Sequence, residues 1–123
     1  MKRIAVFGGR DLRCSVQIRS ALDGVLAKHG PFIVVHGACP TGADKIASQW
    51  ARWRGLPEEP HPADWQVHGR RAGPLRNEVM ARSGLDGAVA FPGGRGTADM
   101  LKRCVAAGVP VWRPAIRPLK ETA

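Results

Sequence analysis

The residues best suited to chemistry lie in Phe91-Pro92-Gly93-Gly94-Arg95-Gly96-Thr97-Ala98-Asp99. The apolar run Gly87-Ala88-Val89-Ala90-Phe91 leads into this segment, and a helical pattern follows it. Three glycines within four positions let a backbone approach a ligand without Cβ clashes. The first amides of a helix have no intrahelical partner, and the helix dipole adds partial positive charge there, so such a loop can hold an anion. Thr97 is expected to cap the helix and to offer its hydroxyl to a phosphate oxygen. Gly93, Gly94, Gly96 and Thr97 are therefore candidate phosphate-binding residues, against the alternative of a tight turn without a ligand. Two better-known phosphate loops are disfavoured by spacing. Gly37 to Gly42 has the first spacing of a P-loop, but Ala43-Asp44 stands where Lys and Ser/Thr are required. Gly94-Arg95-Gly96-Thr97-Ala98 is followed by Asp99 and not by the third glycine of a dinucleotide fingerprint.

Two more glycine-bearing segments follow apolar runs. In Gly8-Gly9-Arg10, the arginine either clamps a phosphate or is a solvated surface cation. In His36-Gly37-Ala38-Cys39-Pro40-Thr41-Gly42-Ala43-Asp44, Asp44 either bonds a ribose hydroxyl or only complements the helix N-terminus electrostatically. A third segment runs from Asp64-Trp65 to Arg76-Asn77. There Trp65 can stack on a base and Arg76 can reach a sugar or phosphate, or the segment is a basic surface loop with Trp65 tucked into the core. His29, His36, His61 and His68 show no metal spacing, and neither a metal nor a cofactor is expected. His36 ends a strand and reads as a structural histidine ahead of a cleft-lining one. Cys14, Cys39 and Cys104 form no Cys-x-x-Cys and are odd in number, which fits small buried or half-buried thiols in a reducing cytoplasm.

Positioning these loops requires strands and helices in alternation. Arg3–Phe7, Phe32–His36, Gly87–Phe91 and Val109–Trp112 read as buried strands, and Leu56–His61 as a short proline-broken one. Helices are expected over Ser15–His29 with Ser15 as cap, over Gly42–Arg54, over Pro74–Ser83 and over Thr97–Ala107. Trp50 and Trp53 are expected to pack against the sheet, and Pro62–Gly73 reads as an irregular loop. Apolar strands alternating with helices imply an α/β, Rossmann-like three-layer sandwich with a mostly parallel sheet of about five strands. Ligands in such a sheet bind at the carboxyl ends of the strands, where the three glycine loops converge. The length of 123 residues and 44% hydrophobic content fit a single domain over residues 1–113, with a loosely held tail over 114–123. No apolar run is long enough to span a bilayer, and the first apolar stretch is too short for a signal peptide. Of 19 basic residues 14 are arginine, and the net charge is +9. That either suits a phosphate-bearing partner or reflects the composition of a chain also rich in Ala, Gly and Pro.

The quoted loops resemble the SLOG superfamily, which gathers the DNA-processing protein Smf/DprA and the LOG (Lonely Guy) proteins, and within it the YspA/YpsA-related group. The resemblance rests on Gly8-Gly9-Arg10, His36-Gly37-Ala38 with Gly42-Ala43-Asp44, Ala63-Asp64-Trp65, Gly73-Pro74-Leu75-Arg76-Asn77 with Met80, and Phe91 to Met100. It implies a Rossmann-like fold that binds nucleotides or their derivatives, with the phosphate on Gly93, Gly94, Gly96 and Thr97. LOG enzymes cleave the bond between base and ribose 5-phosphate, which implies Arg76 as a candidate catalytic residue, with Asp99, or Asp44 or Asp64 from another loop, as the candidate carboxylate beside it. Their glutamate three residues beyond the loop threonine is replaced here by Met100, which can neither carry charge nor activate water. Binding is therefore the leading expectation. Hydrolysis of a nucleoside monophosphate and DprA-like binding of single-stranded DNA are the alternatives. No stripe of interleaved aromatics supports the latter. A homodimer is implied by resemblance alone.

Overall fold

A computed structural model of the chain describes residues 1–116. Five strands form one parallel sheet: β1 (Lys2–Phe7), β2 (Phe32–His36), β3 (Glu58–Pro60), β4 (Gly87–Ala90) and β5 (Val111–Trp112). Their order is β3-β2-β1-β4-β5, so the winding reverses between β1 and β4. Strand register pairs Ile4 with Val34 on one side and with Gly87 on the other. The helices are α1 (Ser15–His29), α2 (Gly42–Trp53), the single turn α3 (Trp65–His68), α4 (Ala72–Ala81) and α5 (Arg95–Ala106).

The fold is the expected Rossmann-like sandwich, and its strands supply both faces by simple alternation. Ile4, Val6, Val34 and Val89 meet Ile18 and Leu22 of α1 and Ile46 and Trp50 of α2. Ala5, Phe7, Val35 and Ala88 meet Met80 of α4 and Met100 and Cys104 of α5. The edge strand β3 tolerates Pro60 because its outer side needs no ladder donor. Its glutamates act as tethers. Glu59 takes Arg3 and His61, while Glu58 takes His36 at 3.0 Å and Arg52 at 3.0 Å.

Several local expectations are corrected. Of residues 62–73 only 62–64 are irregular: Asp64 caps α3 by accepting from the Val67 amide at 3.1 Å, a 3-10 turn follows over Gly69–Arg71, and α4 starts at Ala72. Pro74 thus sits inside the first turn of α4, where a missing amide proton costs nothing. Cys14, not Ser15, stands at the cap of α1. The α5 helix starts at Arg95, with Gly94 in the cap position that Thr97 was expected to fill. Trp50 is buried and donates Nε1 to Asp23 at 2.8 Å, but Trp53 is 68% exposed beneath the Arg54 guanidinium. The buried arc of α2 is centred near Ala43, Ala47 and Trp50, and Trp53 lies about 90° off it at 100° per residue. Ile116, in the segment 114–123, is partly buried against the first core cluster. The rest of that segment, 117–123, lies outside the described residues.

Candidate functional site

The loops after β1, β2 and β4 meet at the carboxyl edge of the sheet, beside the reversal point. The Gly9 peptide ties them together. Its amide donates to Pro92 O at 2.8 Å, and its carbonyl accepts from the Ala43 amide at 3.2 Å. Gly8 is small by necessity, since a Cβ there would stand 2.8 Å from Phe91 Cβ and 2.9 Å from Ala43 Cβ. Gly42 has φ +69° and abuts the Gly9 carbonyl and Arg10, so both its conformation and its space demand glycine. Gly93 is packed against Thr97 and the Gly9 amide. These glycines serve the close approach of the loops. Gly94 and Gly96 differ, because a Cβ on either would meet nothing within 4 Å.

Between the loops lies a cleft of about 300 Å³. Gly8, Gly9, Arg10, Gly37, Asp44, Arg76, Asn77, Gly94, Gly96 and Thr97 all border it, as the sequence reading places them. Gly42, Gly93, Asp64, Trp65 and Asp99 do not line it. Two helix N-termini face this region, and they are not equivalent. On α2 the Ala43 amide is already taken by Gly9, and the first turn carries the buried carboxyl of Asp44. On α5, among the described residues, the amides of Arg95, Gly96 and Thr97 have no acceptor and the first turn carries no acid. The first turn of α5 therefore suits an anion better than that of α2, where Ala43 is paired and Asp44 adds negative charge.

The opposite wall is built on α4 and the loop after β2. Arg76 donates Nε to Asn77 Oδ1 at 2.9 Å and Nη1 to the carbonyls of Gly37 and His61, at 2.5 and 3.2 Å. Asn77, itself buried, donates Nδ2 to Gly96 O at 3.3 Å and to Asp99 Oδ2 at 3.0 Å. It thereby fixes α4 to the first turn of α5. Asp99 is committed to Asn77 and, at 2.9 Å, to Arg103 Nε, outside the cleft. Asp44 accepts from the Cys39 amide at 3.2 Å, and the residue is 8% exposed. Burial pushes the Asp44 carboxyl up, against the pull of amides and of His36 and Arg76. Burial also lowers Arg76, despite the charge of Asp44. In both cases desolvation outweighs the neighbouring charge.

Arg10 reaches the cleft mouth with its guanidinium 5.5 Å from the Trp65 ring centroid. Trp65 is 49% exposed and lies over Gly73, so it is neither in the core nor in the cleft. His36 is structural: Nδ1 accepts from the Ala38 amide at 3.0 Å, and Nε2 meets Glu58. Cys14 and Cys104 are buried and Cys39 is half-buried. Residues not chosen as ligand contacts also border the cleft: Phe7, Asp11, Cys39 and Arg95, together with Met80 and Met100, which the family pattern places beside Arg76 and Thr97. Helical spacing was a usable signal for two of them. Met80 is four residues after Arg76, and Met100 three after Thr97, so each shares a face with a chosen residue. Asp11, Cys39 and Arg95 simply neighbour chosen loop residues. Among the described residues no cluster of His, Cys, Asp and Glu can hold a metal ion, and no helix is long and apolar enough to cross a membrane.

The family model described as the YspA, cpYpsA-related SLOG family matches residues 2–68. The chain belongs to this family. The matched stretch of this SLOG protein holds the loops after β1 and β2, with Gly8, Gly37 and Asp44, and ends before α4. Likeness beyond it comes from the Gene 61 protein of Mycobacterium phage D29, 40% identical over 120 residues, which cover 90% of this chain and 94% of the relative. That relative's name states no activity.

Proposed function

We propose that this SLOG protein binds a nucleoside phosphate in the cleft, with the phosphate on the first turn of α5 and the sugar toward Arg76 and Asp44. Family membership supports a nucleotide-related binding domain, and the site chemistry supports the rest of the reading. The observation that carries it is the asymmetry of the two helix N-termini. The Arg95, Gly96 and Thr97 amides of α5 have no acceptor among the described residues and no acid stands in that turn, while on α2 the Ala43 amide is taken by a carbonyl and the first turn carries the Asp44 carboxyl. Arg10, Arg76 and Arg95 border the same cleft and suit a phosphate ester. Cleavage has less support. A carboxylate at the glycosidic carbon is what the LOG-like reading requires, yet Met100 stands on the cleft wall and Asp99 is turned to Arg103.

A thermal-shift panel of nucleoside 5′-monophosphates and inorganic phosphate tests the proposal. At a concentration about 100 times Kd, a nucleotide should raise the unfolding temperature by roughly 10 °C. Gly96→Val should fold normally, since its side chain enters open space, and should lose that response. Equal stabilisation of wild type and Gly96→Val would refute the placement. Release of free base and ribose 5-phosphate would replace binding with hydrolysis.

A further inference from the structure

On the cleft wall formed by α4 and the loop after β2, the bare Cα of Gly37 separates an acceptor from a donor. A Cβ built there would stand 2.7 Å from Arg76 Cζ and 2.9 Å from Asp44 Oδ2. The φ of Gly37 is not left-handed, so the space and not the backbone calls for glycine. Both side chains are held from behind. The bonds of Arg76 to Asn77, Gly37 and His61 use Nε and Nη1, and Nη2 has no partner among the described residues. Asp44 is anchored by the Cys39 amide. Although they flank one point, the two form no direct ion pair with each other among the described residues.

A carboxylate can only accept and a guanidinium can only donate. A partner that satisfies both from one side must donate at one atom and accept at the next. Two adjacent hydroxyls do so, since each is donor and acceptor. One methylene joins a 5′-phosphate to its sugar. Asp44, Arg76 and the first turn of α5 share one cleft of about 300 Å³, so an anion held on α5 brings its sugar within their reach before its base. We infer that Asp44 and Arg76 together read the vicinal diol of a ribose, which makes the site selective for ribonucleotides over 2′-deoxyribonucleotides. This rests on the nucleotide reading above and adds the sugar to it.

Calorimetric titration of the full chain with AMP, GMP, CMP and UMP, each paired with its 2′-deoxy form, tests the inference. For the base that binds best, the ribose form should bind about tenfold tighter or more, the loss expected when a hydrogen bond to a charged group is removed. Asp44→Asn should bring the two forms within about threefold of each other, mainly by weakening the ribose form. Gly37→Ala, which places a methyl between donor and acceptor, should do the same. If neither variant folds by circular dichroism, the 3′-deoxynucleotide decides on wild type alone: it too must bind more weakly than the ribose form. Equal affinity for ribose and deoxyribose forms, or an unchanged ratio in folded Asp44→Asn, overturns the diol assignment and leaves the nucleotide site standing. Absence of binding by either series overturns the nucleotide reading and the diol with it.

Discussion

Single residues divide into those that hold the loops together and those that face an open cleft, and the glycines show the division best. Gly93 and Gly96 are three positions apart, one in the loop before α5 and one in its first turn. Gly93 is pressed by Thr97 and the Gly9 amide, while Gly96 borders empty space. Gly93→Ala is therefore expected to cost about 1–3 kcal/mol by overpacking, read as a lower midpoint in denaturant unfolding, whereas Gly96→Val leaves that midpoint near wild type. A normal midpoint for Gly93→Ala would show that the loops are less tightly tied than the Gly9 bonds imply. Asp44 carries the opposite signature to a structural carboxylate. Its ordinary value is raised in the fold, so the ionised form opposes folding and its cost grows as pH rises through the raised value. Asp44→Asn should consequently match or exceed wild-type stability at neutral pH without nucleotide. That advantage should shrink as the medium is acidified, because wild-type Asp44 then takes up its proton. A variant clearly less stable at neutral pH would mark Asp44 as a structural anchor.

Elements position these residues by a few specific ties. The α4–α5 link depends on buried Asn77, which joins Arg76, Gly96 and Asp99. Asn77→Leu removes every one of these bonds and should cost about 1–3 kcal/mol, with weaker nucleotide binding because Arg76 and the α5 turn lose their common brace. Rescue of binding by Asn77→Gln without rescue of stability would separate the two effects. The edge strand β3 is tied by its glutamates. Arg3 first, and then His61, hold the Glu59 carboxyl down at about 2. A lowered value adds stability that is fully present above the unfolded value near 4.5 and is lost as pH falls toward about 2. Because Glu59 is partly exposed, salt screens the effect. An acid titration of stability should thus show Glu59→Gln less stable than wild type at pH 6 and equal to it near the acid limit. A difference that persists at the acid limit would place the tie elsewhere in β3.

At the scale of the molecule, one doubly wound sheet brings three sequence-distant loops to the point where its winding reverses. The cleft is then a property of topology, since its lining comes from the loops after β1, β2 and β4 and from α4 together. A ligand bound there would stabilise the whole sheet by mass action, which is why thermal shift can read the proposed binding.

Much of this was legible in the residues themselves. The alternation of apolar strands and 3.6-period helices is local, so strands at 32–36 and 87–90 and the helix over 15–29 could be read directly, and so could the convergence of the glycine loops. Short turns were less legible, because a single cap such as Asp64 starts a helix too brief to show a period. What the chain alone did not determine is where individual polar side chains point. On α5, Met100 and Cys104 are one turn apart and dock on the sheet, which leaves Asp99 to the flank beside Asn77 and Arg103. On α2, packing of Ala43 against the β1 loop brings Asp44 into the cleft. Trp65 turns to Arg10 and Gly73 instead of the interior. Spacing along a chain sets which residues share a helix face, but only the docking of that helix onto its neighbours sets which face meets the ligand.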